Sequence, residues 1–352
     1  MSLRELISAR IAQNGPISLA DYMAECLLHP TFGYYTNRVP FGEKGDFITA
    51  PEISQIFGEL IGLCLAQAWM DQGAPTAFTL AELGPGRGTL MADVLRATRH
   101  VPGFLDSAQV TLVEASARMK ELQKETLSGV PLVHCEQVEQ LKEQPLFVVA
   151  NEFFDALPIR QFTRDGQHWR ETQVGMAETK LVLGQGPALP QPALHNRLDD
   201  TAPGDVVEYA PALAPIVQII GTRIAHHGGA GLIIDYGDWR SLGDTFQALL
   251  DHQTVDPLIH PGAADLTAHV DFEAIAVAAP CQTSRLTPQG VFLERLGAAQ
   301  RAKALAAGLR GTALAQHIAA HRRLTHPDEM GNLFKVMGLF PPGSSPPPGL
   351  DQ

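Results

Sequence analysis

The chain has 352 residues, of which 45% are hydrophobic and 18% are charged, a composition typical of a globular enzyme with a buried core. Its 26 Lys and Arg residues against 38 Asp and Glu residues give a net charge of −12, which argues against a nucleic-acid surface, because such a surface needs clustered basic side chains. No apolar run has the length of a membrane span, the N-terminus lacks the apolar core of a signal peptide, and the four cysteines form no C-x-x-C pair, so we predict a cytoplasmic protein without direct membrane insertion.

The first 75 residues predict helices and an aromatic loop. Ser18 is a predicted N-cap for a helix over 19–28, and a strongly apolar helix is predicted over 54–71. Glycines, aromatic residues and acids alternate between these helices, a pattern suited to a lid that closes a ligand site. The aromatic residues could equally anchor the next helix. The candidate lid residues are Tyr34, Tyr35, Asp46, Phe47, Thr49 and Glu52.

From residue 77 the pattern alternates between strand and helix, which predicts a parallel sheet with right-handed crossovers. The predicted strands are 77–83, 109–114, 131–134, 145–150 and 230–235, and the predicted helices are 89–99, 116–127 and 212–227. Residues 160–208 alternate with period two and contain glycine turns, which predicts an antiparallel insertion. Two further helices are predicted at about 292–309 and 311–323.

We therefore predict an α/β fold with a Rossmann-like, doubly wound sheet, an antiparallel insertion and extra helical lobes. The tail from residue 341 is rich in Pro, Gly and Ser, and we expect it to be disordered. The predicted division is a helical and lid region over 1–75, the first part of the core over 76–160, the insertion over 161–208, core completion over 209–240, a C-terminal substrate lobe over 241–340, and the tail over 341–352.

The most informative motif follows the first core strand. Residues 82–88 read E-x-G-x-G-x-G, and Gly84, Gly86 and Gly88 lead directly into a helical pattern. Such a turn lets a ligand approach the backbone closely, although a tight strand-to-helix turn would use the same residues. The dinucleotide fingerprint needs its last small residue one place later, where Thr89 stands, so the spacing disfavours a nicotinamide-dependent oxidoreductase. Glu82 suits a ligand that carries an ammonium and a sulfonium, and the turn resembles the first motif of S-adenosylmethionine-dependent methyltransferases.

Acids at the ends of the next strands complete the predicted cofactor site. Glu114 ends the second strand, and its two carboxylate oxygens match the vicinal hydroxyls of a ribose. Glu136 follows the third strand and either contacts the adenine amine or is a surface acid. Asn151 follows the fourth strand and is predicted to orient the cofactor or the acceptor.

Three acids are candidates for catalysis. Glu152 and Asp155 follow the fourth strand, and Asp235 ends the last core strand, where ligands of open α/β sheets lie. Alternative roles are a surface acid for Glu152, a helix cap for Asp155 and a turn for Asp235. Asp271 lies in the substrate lobe and could line a peptide channel or cap a helix. His317 and His321 lack an obvious third ligand, so we predict no metal site.

Several blocks of sequence together resemble the MidA-type methyltransferase family, whose mitochondrial members are complex I assembly factors. They run in family order from about residue 15 to 340 and read GYYTNRVPFGEKGDFITAPEISQIFGE, LAELGPGRGTLMADVLRA, VVANEFFDALPIRQF, GLIIDYG, GAADLTAHVDF, QGVFLERLG and MGNLFKVM. One block departs from the family pattern, because Pro288 stands where a threonine is expected.

The resemblance implies a Rossmann-like methyltransferase that uses S-adenosyl-L-methionine and produces symmetric ω-dimethylarginine on a subunit of respiratory NADH dehydrogenase during complex I assembly. It matches Gly84, Gly86 and Gly88 to the cofactor glycines and Glu114 to the ribose acid. An arginine acceptor stays cationic, so carboxylates would hold it and help to remove a proton. Two alternatives stay open: a non-catalytic assembly chaperone that binds the cofactor, and a small-molecule methyltransferase. The sequence leaves the oligomeric state open.

Overall fold

The computed structural model describes residues 1–37 and 49–352. Its N-terminal part forms short helices and one brief strand. Ser18 accepts the backbone N–H of Asp21 and caps the second helix, as predicted. The elements of this part are α1 (Leu3–Asn14), β1 (Ile17–Ser18), α2 (Leu19–Leu28), α3 (Tyr34–Asn37), α4 (Ala50–Ile53) and α5 (Gln55–Asp71).

The first half of the core alternates strand and helix, as the hydrophobic pattern predicts. Its two central strands, over 78–83 and 146–151, are buried along their whole length, because helices cover both faces of a parallel sheet. The elements are β2 (Phe78–Leu83), α6 (Thr89–Thr98), α7 (Phe104–Ser107), β3 (Ala108–Val113), α8 (Ala117–Thr126), β4 (Leu132–Cys135), a 3₁₀ turn (Val138–Gln140) and β5 (Leu146–Asn151).

The insertion is antiparallel, which confirms the period-two prediction. It does not stand alone, because β1 pairs with β7 through Ile17 and Val174, and α1 and α2 share an apolar core with it and with residues 248–268. Its elements are β6 (Arg160–Asp165), β7 (His168–Ala177), β8 (Lys180–Leu189), a 3₁₀ segment (Pro192–Leu198) and β9 (Val206–Tyr209).

The rest of the chain completes the core and adds helices. The helix predicted over 292–309 is divided at Gly297, which has a φ of 94°, a conformation that an α-helix interior does not contain. The elements are α9 (Leu213–His227), β10 (Gly229–Asp238), β11 (Gln247–Leu250), β12 (Gln253–Val255), β13 (Asp265–Thr267), β14 (Val270–Asp271), α10 (Phe272–Ala278), β15 (Gln282–Thr283), β16 (Thr287–Pro288), α11 (Gln289–Arg295), α12 (Ala298–Ala306), α13 (Gly311–Thr325), a π-helical turn (Pro327–Gly331) and β17 (Phe334–Phe340).

The central sheet runs in the order β15-β17-β10-β5-β2-β3-β4. β2 pairs in parallel with both β3 and β5, whereas β17 is antiparallel to β10. Helices α5 and α6 pack on one face of the sheet, and α9 and α10 pack on the other. Because the strand order reverses at β2, the carboxyl ends of β2 and β5 border the crevice where such sheets bind ligands.

The C-terminal tail packs against the core, so the prediction of disorder is wrong. Leu350 is 7% exposed and belongs to the apolar cluster under α5. Arg295 donates to the Gly349 carbonyl at 3.1 Å and to the Asp351 carboxylate at 2.8 Å. An apolar anchor and hydrogen bonds from the core, including that of the Arg285 N–H to the Asp351 carbonyl at 2.9 Å, therefore hold a segment whose composition alone predicts disorder. Within residues 1–37 and 49–352, no helix is long and apolar enough to cross a bilayer.

Candidate active site

The glycine turn joins β2 to α6 at the centre of the sheet. Gly84, Gly86 and Gly88 have φ values of 59°, 50° and 86°, a region that residues with a Cβ rarely adopt. A Cβ at Gly84 would lie 3.0 Å from Cδ2 of Phe153. The turn therefore needs glycine both for its conformation and for its close approach to the loop after β5.

A cavity opens beside this turn. It brings together residues from three separate segments of sequence, as expected for the carboxyl edge of a parallel sheet. Its predicted lining members are Thr49, Glu52, Glu82, Gly84, Gly86, Asn151 and Glu152.

Glu82 lies at the bottom of the cavity and is 3% exposed. Burial raises the pKa of its carboxyl well above the ordinary value, and a backbone hydrogen bond from Met91 opposes that rise. Its Oε2 has no hydrogen-bond partner among the described residues. A buried carboxyl oxygen without a hydrogen-bond partner is costly, so Oε2 is suited to an ammonium donor from a ligand.

Glu114 lies at the end of β3, where its carboxylate is already oriented by two donors. The Ser116 backbone N–H donates to Oε1 at 2.8 Å, and Gln123 Nε2 donates to Oε2 at 3.2 Å. Burial raises the pKa of this carboxyl, and the two hydrogen bonds oppose the rise. Each oxygen keeps a further lone pair, so the geometry suits a ribose diol. Gln123 was not a predicted site residue, because nothing in its local sequence distinguishes it from other helical glutamines.

The loop after β5 carries the candidate catalytic acids. Glu152 has a φ of 51°, and Asn151 Nδ2 donates to its carboxylate at 3.2 Å. Burial, followed by the nearby Asp155 charge, raises the pKa of Glu152 to about 8. Burial also raises the pKa of Asp155 to about 6, with the Tyr236 hydroxyl opposing the rise. Oδ1 of Asn151 and Oδ1 of Asp155 are buried and accept no hydrogen bond from the described part of the chain.

Asp235 is fully buried and is directed at backbone rather than at the cavity. Its Oδ2 accepts hydrogen bonds from the backbone N–H groups of Phe153, Phe154 and Asp155 at 3.2, 3.0 and 3.3 Å. Its Oδ1 accepts a hydrogen bond from the backbone N–H of Tyr236 at 3.0 Å. The prediction of a reacting acid here does not fit this geometry. Asp235 instead positions the loop that carries the other two acids.

The remaining predicted acids are dispersed. The Glu136 side chain is 68% exposed and pairs with Lys120 at 3.0 Å, so the structure places it on the surface, which was its alternative interpretation. Asp271 caps α10 by accepting the Ala274 N–H at 2.9 Å and is absent from the cavity lining, so the helix-cap interpretation is the one that the structure supports.

The predicted lid is only partly within the described residues. Asp46 and Phe47 lie outside them. Tyr34 is fully buried, and the Tyr35 hydroxyl donates to Asp265 at 2.9 Å. Glu52 accepts the Thr89 hydroxyl at 2.6 Å, which joins α4 to the start of α6 at the cavity. Among the residues that the structure covers, no group of three or more His, Cys, Asp and Glu side chains could hold a metal ion.

The chain matches the family profile of S-adenosyl-L-methionine-dependent methyltransferases over residues 60–291. It is 37% identical to the human "Protein arginine methyltransferase NDUFAF7, mitochondrial", with 94% of this chain and 82% of that protein covered. The Drosophila melanogaster homolog of that protein is 36% identical, with 97% of this chain and 85% of the homolog covered. A crystal structure of a protein from Burkholderia thailandensis, bound to S-adenosyl-homocysteine, is similar with a TM-score of 0.83 and 28% sequence identity. The similarity covers 99% of this chain and 92% of that one.

The human and Drosophila melanogaster relatives are named as mitochondrial proteins, and they contradict the predicted cytoplasmic location. That prediction depended on missing targeting patterns and on unpaired cysteines. Neither observation identifies a compartment, since unpaired cysteines are compatible with more than one compartment and targeting segments do not share one pattern.

Proposed function

Because the chain belongs to the family of S-adenosyl-L-methionine-dependent methyltransferases and uses that cofactor, we propose that it methylates arginine side chains of a protein substrate. The relatives named as protein arginine methyltransferases support this acceptor. We further propose that the product is symmetric ω-dimethylarginine and that the substrate is a subunit of a complex I type NADH dehydrogenase. The segment over 241–340 is our candidate substrate lobe.

The observation that carries the proposal is a group of acids without matching cations. Glu82, Glu152 and Asp155 meet at one edge of the sheet, and burial raises the pKa of each. No Lys or Arg in the described ranges forms an ion pair with any of the three, and the Arg323 charge, which lowers the pKa of Glu152, is outweighed by burial and by the Asp155 charge. A cationic cofactor and a cationic acceptor would together supply the missing positive charge, which a neutral small-molecule acceptor would not.

We assign the residues of the site to cofactor binding or to acceptor binding according to their position. Glu82, the glycine turn and Glu114 would hold the cofactor, which supplies an electrophilic methyl group when bound. Glu152 and Asp155 would accept N–H donors of the guanidinium and orient one nitrogen for in-line attack. Binding of the cationic guanidinium would ionise the Glu152 carboxyl, and the resulting carboxylate would accept the proton that the guanidinium loses.

A binding titration is the first test. The purified chain is titrated by calorimetry with S-adenosylmethionine and with NADH, and a Gly86→Val variant is the control, because Gly86 has a φ of 50° that a β-branched residue does not tolerate. Micromolar-range binding of S-adenosylmethionine that is lost in the variant, without NADH binding, is expected.

A methyl-transfer assay then tests the acceptor. The chain is incubated with labelled cofactor and subunits of NADH dehydrogenase, and matched subunits with each candidate Arg replaced by Lys are the control. Mass spectrometry that finds symmetric dimethylarginine supports the proposal. Label on lysine or on a small molecule contradicts it, and cofactor binding without any transfer supports a non-catalytic chaperone instead.

A further inference from the structure

Gln123 connects separate parts of the cofactor site through one side-chain amide. It lies on α8 and is fully buried. Its Nε2 donates to the Gly86 carbonyl at 2.8 Å and to Glu114 Oε2 at 3.2 Å. Its Oε1 lies 3.0 Å from His134 Nε2 at the end of β4. The glycine turn after β2, the acid after β3 and the strand β4 therefore meet at a single residue.

The orientation of this amide is determined by its partners. An amide nitrogen has two N–H donors and no acceptor, and both donors of Nε2 have an acceptor here. A flipped amide would place Oε1 against the Gly86 carbonyl and the Glu114 carboxylate, which is repulsive. His134, in the tautomer that carries its proton on Nε2, donates to Oε1 on the other side. Both donors and the acceptor of the buried amide therefore have hydrogen-bond partners, and these hydrogen bonds restrict the side chain to one conformation.

We propose that Gln123 is a positioning residue that sets the distance between the glycine turn and Glu114, and that it thereby determines how strongly the site recognises the ribose hydroxyls of its cofactor. This inference rests on the proposed ribose role of Glu114. Without the amide, Glu114 Oε2 loses the hydrogen bond from Gln123, and the Gly86 carbonyl loses its hydrogen bond to α8. The carboxylate would then occupy several rotamers, and hydrogen bonding to the ribose would cost more entropy.

The test compares Gln123→Met with Gln72→Met. Methionine keeps the length of the side chain without its amide. Gln72 is a matched control far from the cavity, because its amide also makes two hydrogen bonds, to the Gly229 N–H at 2.7 Å and to the Gly229 carbonyl at 2.9 Å. Each protein is titrated with S-adenosyl-homocysteine and with its 2′-deoxyribose analogue, and thermal melting confirms the fold.

We expect the wild-type chain to bind the deoxy analogue about tenfold more weakly than S-adenosyl-homocysteine. Gln123→Met should bind S-adenosyl-homocysteine about tenfold more weakly and discriminate less than about threefold between the ligands, whereas Gln72→Met should match the wild type. Unchanged affinity overturns the proposal. An unchanged ratio at lower affinity also overturns it, since a packing defect would weaken both ligands equally.

If Gln123→Met does not fold, His134→Leu provides the same test, because it removes the partner that orients Oε1 from a half-buried position. A reduced ratio supports the inference and a wild-type ratio contradicts it. Both experiments use binding alone. A wild-type chain that binds S-adenosyl-homocysteine but does not methylate arginine would refute the proposed acceptor and leave this inference intact.

Discussion

Glu152 combines an unusual backbone conformation with a carboxyl that resists ionisation. Its φ of 51° costs of order 1 kcal/mol for a residue with a Cβ, and its N–H donates to the Ile234 carbonyl at 2.9 Å, which holds it at the sheet edge. The pKa of about 8 follows mainly from burial. Together these features place a carboxyl in the cavity in a state that a cationic acceptor would ionise.

Replacement of Glu152 by Gln keeps the size of the side chain and removes its charge. We expect turnover to fall by at least about 100-fold, with affinity for S-adenosyl-homocysteine changed by less than about threefold. Steady-state kinetics and calorimetry measure the two effects. Glu143→Gln, at an exposed acid before β5, is the control, and an active Glu152→Gln enzyme would remove Glu152 from the mechanism.

The same carboxyl makes a prediction about stability and pH. In the unfolded chain the Glu152 carboxyl ionises near its ordinary pKa of 4.5, whereas in the folded cofactor-free protein it keeps its proton until about pH 8. Its contribution to the free energy of unfolding is therefore complete below about pH 4.5 and is lost as pH rises to about 8. The difference in melting temperature between Glu152→Gln and the wild type should therefore increase as pH rises across this window. Melting temperatures of the two proteins that change equally with pH would contradict the assigned pKa.

At the scale of elements, one buried side chain organises the catalytic edge of the sheet. Asp235 on β10 accepts three consecutive N–H groups of the loop after β5, and β10 pairs in parallel with β5. Burial, followed by the Asp155 and Glu152 charges, raises the pKa of the Asp235 carboxyl well above its ordinary value, and the backbone hydrogen bonds from this loop oppose that rise. The loop that bears Glu152 and Asp155 is thus tied to the neighbouring strand.

Asp235→Asn tests this role. Both oxygens of Asp235 accept backbone N–H groups, so either orientation of an asparagine directs its NH₂ group at a donor. We expect a loss of stability of about 2 kcal/mol or more and faster amide hydrogen exchange over residues 152–155, with a lower turnover. Asp238→Asn, at the exposed end of the same strand, is the control. Unchanged hydrogen exchange in the loop would show that Asp235 does not hold it.

At the scale of the whole molecule, the C-terminal part closes one face of the core. Glu59 on α5 is 5% exposed and accepts hydrogen bonds from Arg96 on α6 and Arg301 on α12. Burial raises the pKa of Glu59, but the two arginines together hold it below its ordinary value. The tail extends this contact through Leu350, so the C-terminal segments belong to the folded unit.

Leu350→Ala tests whether the tail stabilises the fold. Removal of a buried leucine side chain typically costs about 2–5 kcal/mol, and we expect the lower part of this range because the site lies near a chain end. Denaturant unfolding measures the loss, and cofactor affinity should stay within about twofold. Leu242→Ala, at a leucine that is 58% exposed, is the control, and equal stability of both variants would show that the tail contributes little.

The amino-acid sequence determined the features that depend on local pattern. Alternation between strand and helix predicted the core elements to within a few residues, and period-two alternation predicted the antiparallel insertion. The glycine spacing and the acids at strand ends identified Glu82, Glu114, Asn151 and Glu152 as parts of one edge, because parallel strands bring their carboxyl ends together. Resemblance to a family supplied the cofactor, which the family comparisons confirm.

Only the tertiary structure decided which polar side chains have hydrogen-bond partners and which residues those partners are. Asp235 and Glu152 look alike in sequence, yet one accepts three backbone N–H groups and the other faces the cavity. Gln123 contacts partners on three other segments, and Leu350 is buried by contacts with residues distant in sequence. Burial and hydrogen bonding between residues distant in sequence depend on packing, which no local pattern encodes.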